Sequence, residues 1–186
     1  MRDRLGLAFF TFAAVISFLA AWEHPALLAW LAAVHNAVLA ALYVRRKPPV
    51  KYDRLGLWLG LLAAVLPMTT VYSVEMSLPL IITGILGYSL VFWSLVSLGN
   101  HFGIAPADRG LVVRGPYRIV RHPMYLGELV LRAALVIASS QVLISAGLLI
   151  TLAVIQILRA IREEHLLTGY DTYASQVPYR LVPGVW

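Results

Sequence analysis

Two groups of polar residues interrupt an otherwise apolar chain, and their residue types are suited to chemistry. The first is the segment 114–128, which reads Arg-Gly-Pro-Tyr-Arg-Ile-Val-Arg-His-Pro-Met-Tyr-Leu-Gly-Glu, and the second is Arg159 with Glu163 and Glu164. Ionisable groups concentrated at two points of an apolar chain indicate a membrane-embedded site that handles a polar ligand at the water boundary.

Glu163 and Glu164 lie at the C-terminal end of a long apolar run. The helix dipole disfavours negative charge at that end, so a carboxylate there is better explained by a cationic ligand group such as an ammonium or a sulfonium. Arg159, one turn deeper, would orient the anionic head of a substrate. The alternative is a solvated, charged helix end in which Arg159 pairs with Glu163.

The segment around residues 115–125 predicts a turn followed by the start of a helix. Gly115 and Pro116 favour the turn, and Tyr117 follows as an amphipathic side chain. His122-Pro123 predicts an extended residue followed by proline at the first helical position. The free backbone N–H groups that follow Pro123 at this helix start are suited to binding an anion. The alternative is that the arginines lie near lipid head groups and the tyrosine belongs to an aromatic belt.

Composition assigns the chain to the integral membrane proteins. Of 186 residues, 60% are hydrophobic and only 13% are charged, whereas soluble domains carry about 25% charged residues. The chain has no cysteine, which excludes disulfides and a cysteine nucleophile, and its five histidines lack metal-ligand spacing, so no metal site is expected. The net charge of +6 is attributed to membrane topology, and no nucleic-acid partner and no obligate protein partner are expected.

The apolar runs predict an all-α membrane protein with about five to six transmembrane helices. A span needs roughly 20 apolar residues, and four runs meet this length: Leu5–Ala21, Ala26–Val44, Leu55–Val74 and Leu78–Leu98. The region 129–158 is too long for one span and is interrupted by Ser-Ser-Gln at 139–141, which predicts a helical hairpin.

We therefore divide the chain into four transmembrane helices over 1–98 and a catalytic half over 99–186. The catalytic half comprises a linker (99–127), the hairpin (128–162) and a tail (163–186). The N-terminus, 45–54, 99–127 and the region after 158 hold 2, 5, 4 and 3 Lys or Arg, which is 14 of the 15 in the chain. The positive-inside rule then places both termini and both polar groups on the cytoplasmic side of a multi-pass membrane protein.

The C-terminal half, from about residue 98 onward, resembles the isoprenylcysteine carboxyl methyltransferase family, which is related to the membrane phospholipid methyltransferases. The length is similar to that of compact prokaryotic members. The resemblance is carried by a series of short motifs in order: Leu98-Gly99, Arg109–Val112, Gly115–Tyr117, Arg121–Gly127, Arg159 with Glu163-Glu164, Leu166-Leu167, Gly169, Tyr170, Tyr173, Val177 and Arg180–Pro183.

The resemblance implies a methyltransferase that uses S-adenosyl-L-methionine. Within it, Arg159 would face the substrate and Glu163 would bind the cofactor, and these two are the candidate catalytic residues. The further residues that it implies for cofactor binding are Ala107, Arg109, Gly110, Leu111, Val112, Tyr117, His122, Pro123, Met124 and Tyr125.

The expected reaction moves a methyl group to a lipophilic acceptor in the membrane. A carboxylate acceptor is ionised at neutral pH and needs no general base, which agrees with the lack of a base-orienter pair in the sequence. An amine or thiol acceptor would need a base, for which Glu164 or His122 are candidates. The alternatives are a phospholipid-type N-methyltransferase and, from another class, a non-catalytic membrane protein or small transporter. The second alternative is disfavoured because ionisable groups, except Arg132, are nearly absent from the helix interiors and none is expected to form a relay at the membrane midplane.

Overall fold

The protein is described by a computed structural model that covers residues 2–66 and 76–186, with side chains described from residue 6 onward except at position 52. These parts of the chain are mostly helical. The elements in chain order are α1 (Arg2–Glu23), α2 (Leu27–Arg45), β1 (Lys51–Tyr52), α3 (Arg54–Val65), α4 (Leu78–Leu98), β2 (Ala107–Asp108), α5 (Pro123–Ala138), α6 (Val142–Glu164) and α7 (Tyr170–Gln176).

Four helices are long and apolar enough to cross a bilayer, namely α1, α2, α4 and α6. Within the described residues, α3 and α5 are shorter, with 12 and 16 residues. The predicted all-α membrane fold is confirmed. The third predicted span, Leu55–Val74, overlaps α3, and its residues 67–74 lie outside the described residues.

The predicted C-terminal hairpin is present, with a short arm, α5, and a long arm, α6. The arms are joined at residues 139–141, where the sequence predicted the break, and the Ser139 hydroxyl accepts a hydrogen bond from Gln141 N (3.1 Å) and one from Ser145 Oγ (2.8 Å). The helical bounds exceed the predicted 128–162, because Pro123 already begins α5 and α6 continues to Glu164.

Helices α4 and α5 approach closely at a pair of glycines. A Cβ atom at position 87 would lie 2.7 Å from the backbone nitrogen of Leu131, and one at position 127 would lie 2.9 Å from the carbonyl oxygen of Gly87. Contacts this short exclude any side chain at either position. The glycines therefore fix α5 against α4 and set which of its faces turns to the interior of the bundle.

The linker between α4 and α5 lies across one end of the bundle. Its strand β2 pairs antiparallel with β1, with Lys51 opposite Asp108. Asp53, the N-cap residue of α3, forms an ion pair with Arg162 near the end of α6. The ends of α2, α3 and α6 are thus tied together around the linker.

The tail folds back onto the same end. The backbone N–H groups of Arg121 and His122 donate to the carbonyl oxygens of Tyr179 and Arg180, each at 2.9 Å. Helix α7 lies between α6 and this extended end. The linker, the start of α5, the end of α6 and the tail therefore form one compact region.

Candidate functional site

A polar pocket lies in this compact region. Ten of the eleven residues predicted to bind a cofactor line it: Ala107, Arg109, Gly110, Leu111, Val112, Tyr117, His122, Met124, Tyr125 and Glu163. The eleventh, Pro123, is fully buried as the first residue of α5. The tail contributes Leu167, Tyr170 and Tyr173 to the lining of the polar pocket.

Glu163 presents its carboxylate to the polar pocket. Its Oε2 accepts a hydrogen bond from the Tyr125 hydroxyl (3.0 Å) and lies 3.8 Å from Nδ1 of His122. The side chain is 31% exposed, so the carboxylate stays accessible to a ligand. The His122 and Tyr125 rings stack, with centroids 5.4 Å apart and planes at 2°, which holds both groups in place.

Glu164 is enclosed by cations and plays a different part. Its side chain is 8% exposed and accepts hydrogen bonds from Arg180 Nε (2.9 Å) and Nη2 (2.9 Å). Arg121 Nη1 lies 3.4 Å from Oε1, and His122 Nε2 lies 3.2 Å from the same atom. Glu164 therefore joins the tail to the linker, and its engagement with these groups argues against the general-base role considered from the sequence.

The segment 107–112 is held by Asp108. Its Oδ2 accepts from the Thr168 hydroxyl (2.7 Å) and backbone (3.2 Å), and its Oδ1 accepts from Gly110 N (3.0 Å). The hydrogen bond from Thr168 lowers the pKa of Asp108 below its usual value. The carboxylate therefore stays ionised, and both of its oxygens remain hydrogen-bond acceptors. The backbone of residues 109–112 is thereby fixed along the polar pocket.

Tyr117 reaches the pocket from a 3-10 helix at Gly115–Arg118. Gly115 has φ +59°, and a Cβ there would lie 2.2 Å from Ser97 Oγ, so this turn requires glycine. Burial raises the pKa of Tyr117 well above its ordinary value, so its hydroxyl remains protonated. The Tyr173 hydroxyl donates to the Tyr117 carbonyl (2.7 Å), which ties α7 to this turn.

A second and larger space, the apolar cavity, extends among helices α1 to α6. Its volume is about 540 Å³ and its lining is mostly apolar, a size typical of small-molecule sites. Phe102 and Met124 border both the polar pocket and the apolar cavity. The polar pocket and the apolar cavity are therefore adjacent at these two side chains.

Arg159 belongs to the apolar cavity rather than to the polar pocket. Its Nη1 donates to Gln156 Oε1 (2.8 Å), its Nη2 donates to the Ile104 carbonyl (3.0 Å), and its guanidinium lies 4.8 Å from the Tyr125 ring centroid. Its Nε is buried without a hydrogen-bond partner. These contacts differ from the surface pair with Glu163 that was the alternative, and they leave one donor of the guanidinium without a partner.

Glu128 also lines the apolar cavity, and the sequence analysis missed it. Gln156, which is fully buried, donates from Nε2 to the Glu128 carboxylate while its Oε1 accepts from Arg159. The spacing of Met124, Glu128 and Arg132 at every fourth residue was the available signal, because such residues share one helix face. Ionisable groups in the helices are thus not limited to Arg132, since Glu128 and Arg159 line the same cavity.

Comparison with known families identifies the protein class. The family model of the phospholipid methyltransferases matches residues 55–173, which is more than half of the chain, so the chain belongs to that family. No curated protein matches it. The chain is therefore an S-adenosylmethionine-dependent methyltransferase of the membrane, which sets aside the non-catalytic alternative.

The polar pocket fits such a cofactor by its chemistry. S-adenosylmethionine carries cationic groups, a carboxylate and an aromatic base. Glu163 is suited to the cationic part, and the arginine side chains at 109 and 121 add positive charge for the carboxylate. Leu111, Val112 and the tyrosines of the pocket supply apolar and aromatic surface for the base.

Proposed function

We propose that this member of the phospholipid methyltransferase family transfers a methyl group from S-adenosylmethionine to the amino head group of a membrane phospholipid. The observation that supports this most is that Glu128 and Arg159, two groups of opposite charge, line one cavity beside the cofactor pocket. An amino phospholipid carries the complementary charges, an ammonium and a phosphate. Gln156 already bridges the two groups, and an uncharged lipid would bring neither of them an opposite charge in this low-dielectric space.

The polar pocket would hold the cofactor. Bound there, S-adenosylmethionine supplies a methyl group activated by its positively charged sulfur. Glu163 would face this cation, and Tyr125, which donates to Glu163, orients the carboxylate. Residues 109–112 and Tyr117 would position the rest of the cofactor, as the resemblance in the C-terminal half implies.

Arg159 would bind the phosphate of the acceptor. Its Nε, which is buried without a partner, and its two Nη atoms form a planar fork that matches an anionic oxygen pair. Gln156 and Ile104 hold this fork in place. The acceptor's head group would then point toward Met124 and the polar pocket.

Glu128 would accept a proton from the ammonium of the acceptor. Removal of this proton frees the nitrogen lone pair, which forms the new bond to the methyl carbon as the bond between that carbon and sulfur breaks. The electron pair of the broken bond would stay on sulfur, which would become neutral, and the nitrogen, neutral after losing its proton, would gain the positive charge. The chain contributes alignment and a water-poor site, which are the main requirements of such an in-line displacement.

A carboxylate acceptor is the second candidate, and the spare donor of Arg159 favours it. An ionised carboxylate attacks the methyl group without losing a proton. Arg159 would then bind the reacting group itself, and Glu128 would not be needed as a base. The two candidates therefore differ in what Glu128 does.

Replacement of Glu128 distinguishes them. Transfer of radiolabelled methyl from S-adenosylmethionine to phosphatidylethanolamine and to oleate would be measured in mixed micelles with wild type, Glu128→Gln, Glu128→Asp and the control Glu23→Gln, an acidic position at the far end of α1. If Glu128 is the base, Glu128→Gln lowers amine methylation about a hundredfold, the usual effect of losing a general base, and Glu128→Asp restores part of it.

The alternative outcome is equally clear. If oleate is methylated and Glu128→Gln is as active as wild type, the acceptor is a carboxylate and the proposed role of Glu128 is wrong. Loss of activity in Glu23→Gln as well would show that the effect is not specific to the cavity. Cofactor affinity, measured in the same variants, is expected to be unchanged because Glu128 does not line the polar pocket.

We further propose that the polar pocket faces the cytoplasm. The linker, the last two turns of α6 and the tail carry seven of the fifteen Lys and Arg residues, and basic residues accumulate on the cytoplasmic side. S-adenosylmethionine is a water-soluble cofactor and would reach the pocket from that side.

A further inference from the structure

A second set of polar side chains lines the apolar cavity, deeper than Glu128 and Arg159. It consists of His35 and Asn36 on α2 and Arg132 on α5, which we call the inner polar group. The proposed reaction does not use it. Polar and ionisable groups inside a membrane bundle are costly and commonly mark a binding site or pathway.

The inner polar group lies at one depth. Arg132 is nine residues from the start of α5 at Pro123, and Asn36 is nine residues from the end of α2 at Arg45. At a rise of 1.5 Å per residue, both are about 13 Å from the end of the bundle that carries the polar pocket. Residues from two different helices therefore form a single polar level inside the cavity.

The inner polar group is one helical turn below the charged pair. Glu128 and Arg132 are four residues apart on α5, which corresponds to about 6 Å along the helix axis. Arg159 is five residues from the end of α6, and Glu128 is five residues from the start of α5, so this pair also forms one level. A ligand that spans the cavity meets two polar levels in succession.

His35 has an unsatisfied polar atom at the inner level. Its Nε2 is buried and has no hydrogen-bond partner. Its ring is held edge-on against Tyr88 and Phe92, with centroid distances of 6.0 Å and 6.1 Å. A buried polar atom without a partner is destabilising, and a turn of the ring toward the cavity that His35 lines would bring this atom to a ligand oxygen.

The neighbouring Asn36 is fixed toward α1. Its Nδ2 donates to Ser17 Oγ (2.9 Å), which orients the amide at the cavity wall. Beyond this level, toward the other end of the bundle, the cavity is lined mainly by apolar side chains such as Leu27, Leu28 and Ile81. The inner polar group thus separates a charged part of the cavity from a mostly apolar part.

We infer that the inner polar group is a subsite for the ester carbonyl oxygens of a diacyl glycerophospholipid, an inference that rests on the proposed phospholipid acceptor. Five bonds separate the phosphorus from an ester carbonyl carbon, or about 6 Å at roughly 1.2 Å per bond in an extended chain. This equals the distance between the two polar levels. With the phosphate at Arg159, the esters lie beside His35 and the acyl chains fill the apolar part.

The inference predicts a preference for ester-linked over ether-linked lipid. An ether linkage lacks the carbonyl oxygen but keeps the head group and the chains. Wild-type protein in detergent would be mixed with equal amounts of dioleoyl phosphatidylethanolamine and its dialkyl ether analogue, and native mass spectrometry would give the ratio of the two bound lipids. We expect the diester to be preferred about three- to tenfold, the range of one neutral hydrogen bond.

Substitutions at His35 test which residue carries the preference. His35→Phe keeps an aromatic ring against Tyr88 and Phe92 but removes both ring nitrogens, so the ratio is expected to fall to about one. His35→Gln retains a donor and is expected to recover part of the preference. The matched control is His165→Phe, at an exposed position after α6 that does not line the cavity, and it is expected to keep the wild-type ratio.

Binding and turnover separate this inference from the proposed function, because methyl transfer would be recorded in the same samples. Diester preference without methylation of either lipid supports the subsite and contradicts the amine acceptor. Methylation without diester preference in the wild type overturns the subsite and leaves the amine acceptor standing. A preference that persists in His35→Phe also overturns the subsite. If that variant fails to fold, the ratio of bound diester to bound ether lipid in the wild type alone tests the subsite.

Discussion

Two adjacent carboxylates, Glu163 and Glu164, provide a sharp test of how the cofactor is bound. They have the same chemistry and lie one residue apart, yet the first opens to the polar pocket and the second is enclosed by Arg121, Arg180 and His122. Replacement of each by glutamine removes one negative charge and little volume. The two variants therefore differ only in what each carboxylate contacts.

Glu163→Gln is expected to weaken cofactor binding. A hydrogen bond or contact to a charged group contributes about 1.5–3 kcal/mol, which corresponds to a rise in Kd of about tenfold to 150-fold. The glutamine can still accept from Tyr125, which donates to Glu163 at 3.0 Å. The fold should therefore be retained.

Glu164→Gln is expected to lower stability instead. Removing one member of a buried charge cluster costs about 3–5 kcal/mol, and a chain of this size loses about 2–4 °C in Tm for each kcal/mol. Below its Tm, the variant should bind the cofactor with an affinity within about threefold of wild type. The negative charge that it loses faces Arg180 and Arg121 and not the pocket interior.

Isothermal titration calorimetry with S-adenosylmethionine and thermal unfolding of the detergent-purified variants would measure both effects. Equal affinities in the two variants would remove Glu163 from the cofactor site. Stronger weakening in Glu164→Gln than in Glu163→Gln would reverse the assignment of the two carboxylates.

Two further predictions concern the substrate and the topology. Arg159→Lys is expected to reduce turnover at least about tenfold with little change in cofactor affinity, because lysine cannot reproduce a planar fork; near-normal turnover would contradict the assigned role. Cysteines introduced at the exposed Ser140 and Ser175, in a chain with no native cysteine, are expected to react with impermeant reagent from opposite sides of the membrane. Labelling of both from one side would contradict the proposed topology.

The sequence predicted the helices well because their physical cause is local. Long apolar runs mark α1, α2 and α4, and a three-residue polar interruption marks the turn of the hairpin between α5 and α6. Pro123 begins α5 as expected, since proline is favoured at the first helical position. The division into a membrane part and a catalytic half remains a prediction.

The polar pocket was largely anticipated, but through the resemblance and not through physical reasoning. Residues 107–112 and Glu163 are about fifty positions apart, and nothing local brings them together. The hydrogen bonds of Asp108 to Thr168 do so in the folded protein. The different surroundings of Glu163 and Glu164 likewise depend on Arg180, which the tail brings back to α6.

The apolar cavity was not predicted, because it depends on the packing of six helices. Glu128 and Gln156 are 28 positions apart and meet only when α5 packs against α6. His35 and Asn36 are isolated polar residues in an apolar run, and the sequence does not show which face of α2 turns inward. Their spacing from the charged pair becomes visible only in the folded bundle.

The central claim is that the chain methylates an amino phospholipid, and the product of the reaction tests it most directly. Purified protein would be incubated with radiolabelled S-adenosylmethionine and phosphatidylethanolamine, and the extracted lipid would be separated and identified by mass. We predict labelled N-methyl phosphatidylethanolamine with wild type and a strongly reduced amount with Glu128→Gln. Absence of this product from wild-type protein that binds the cofactor and methylates oleate would contradict the claim.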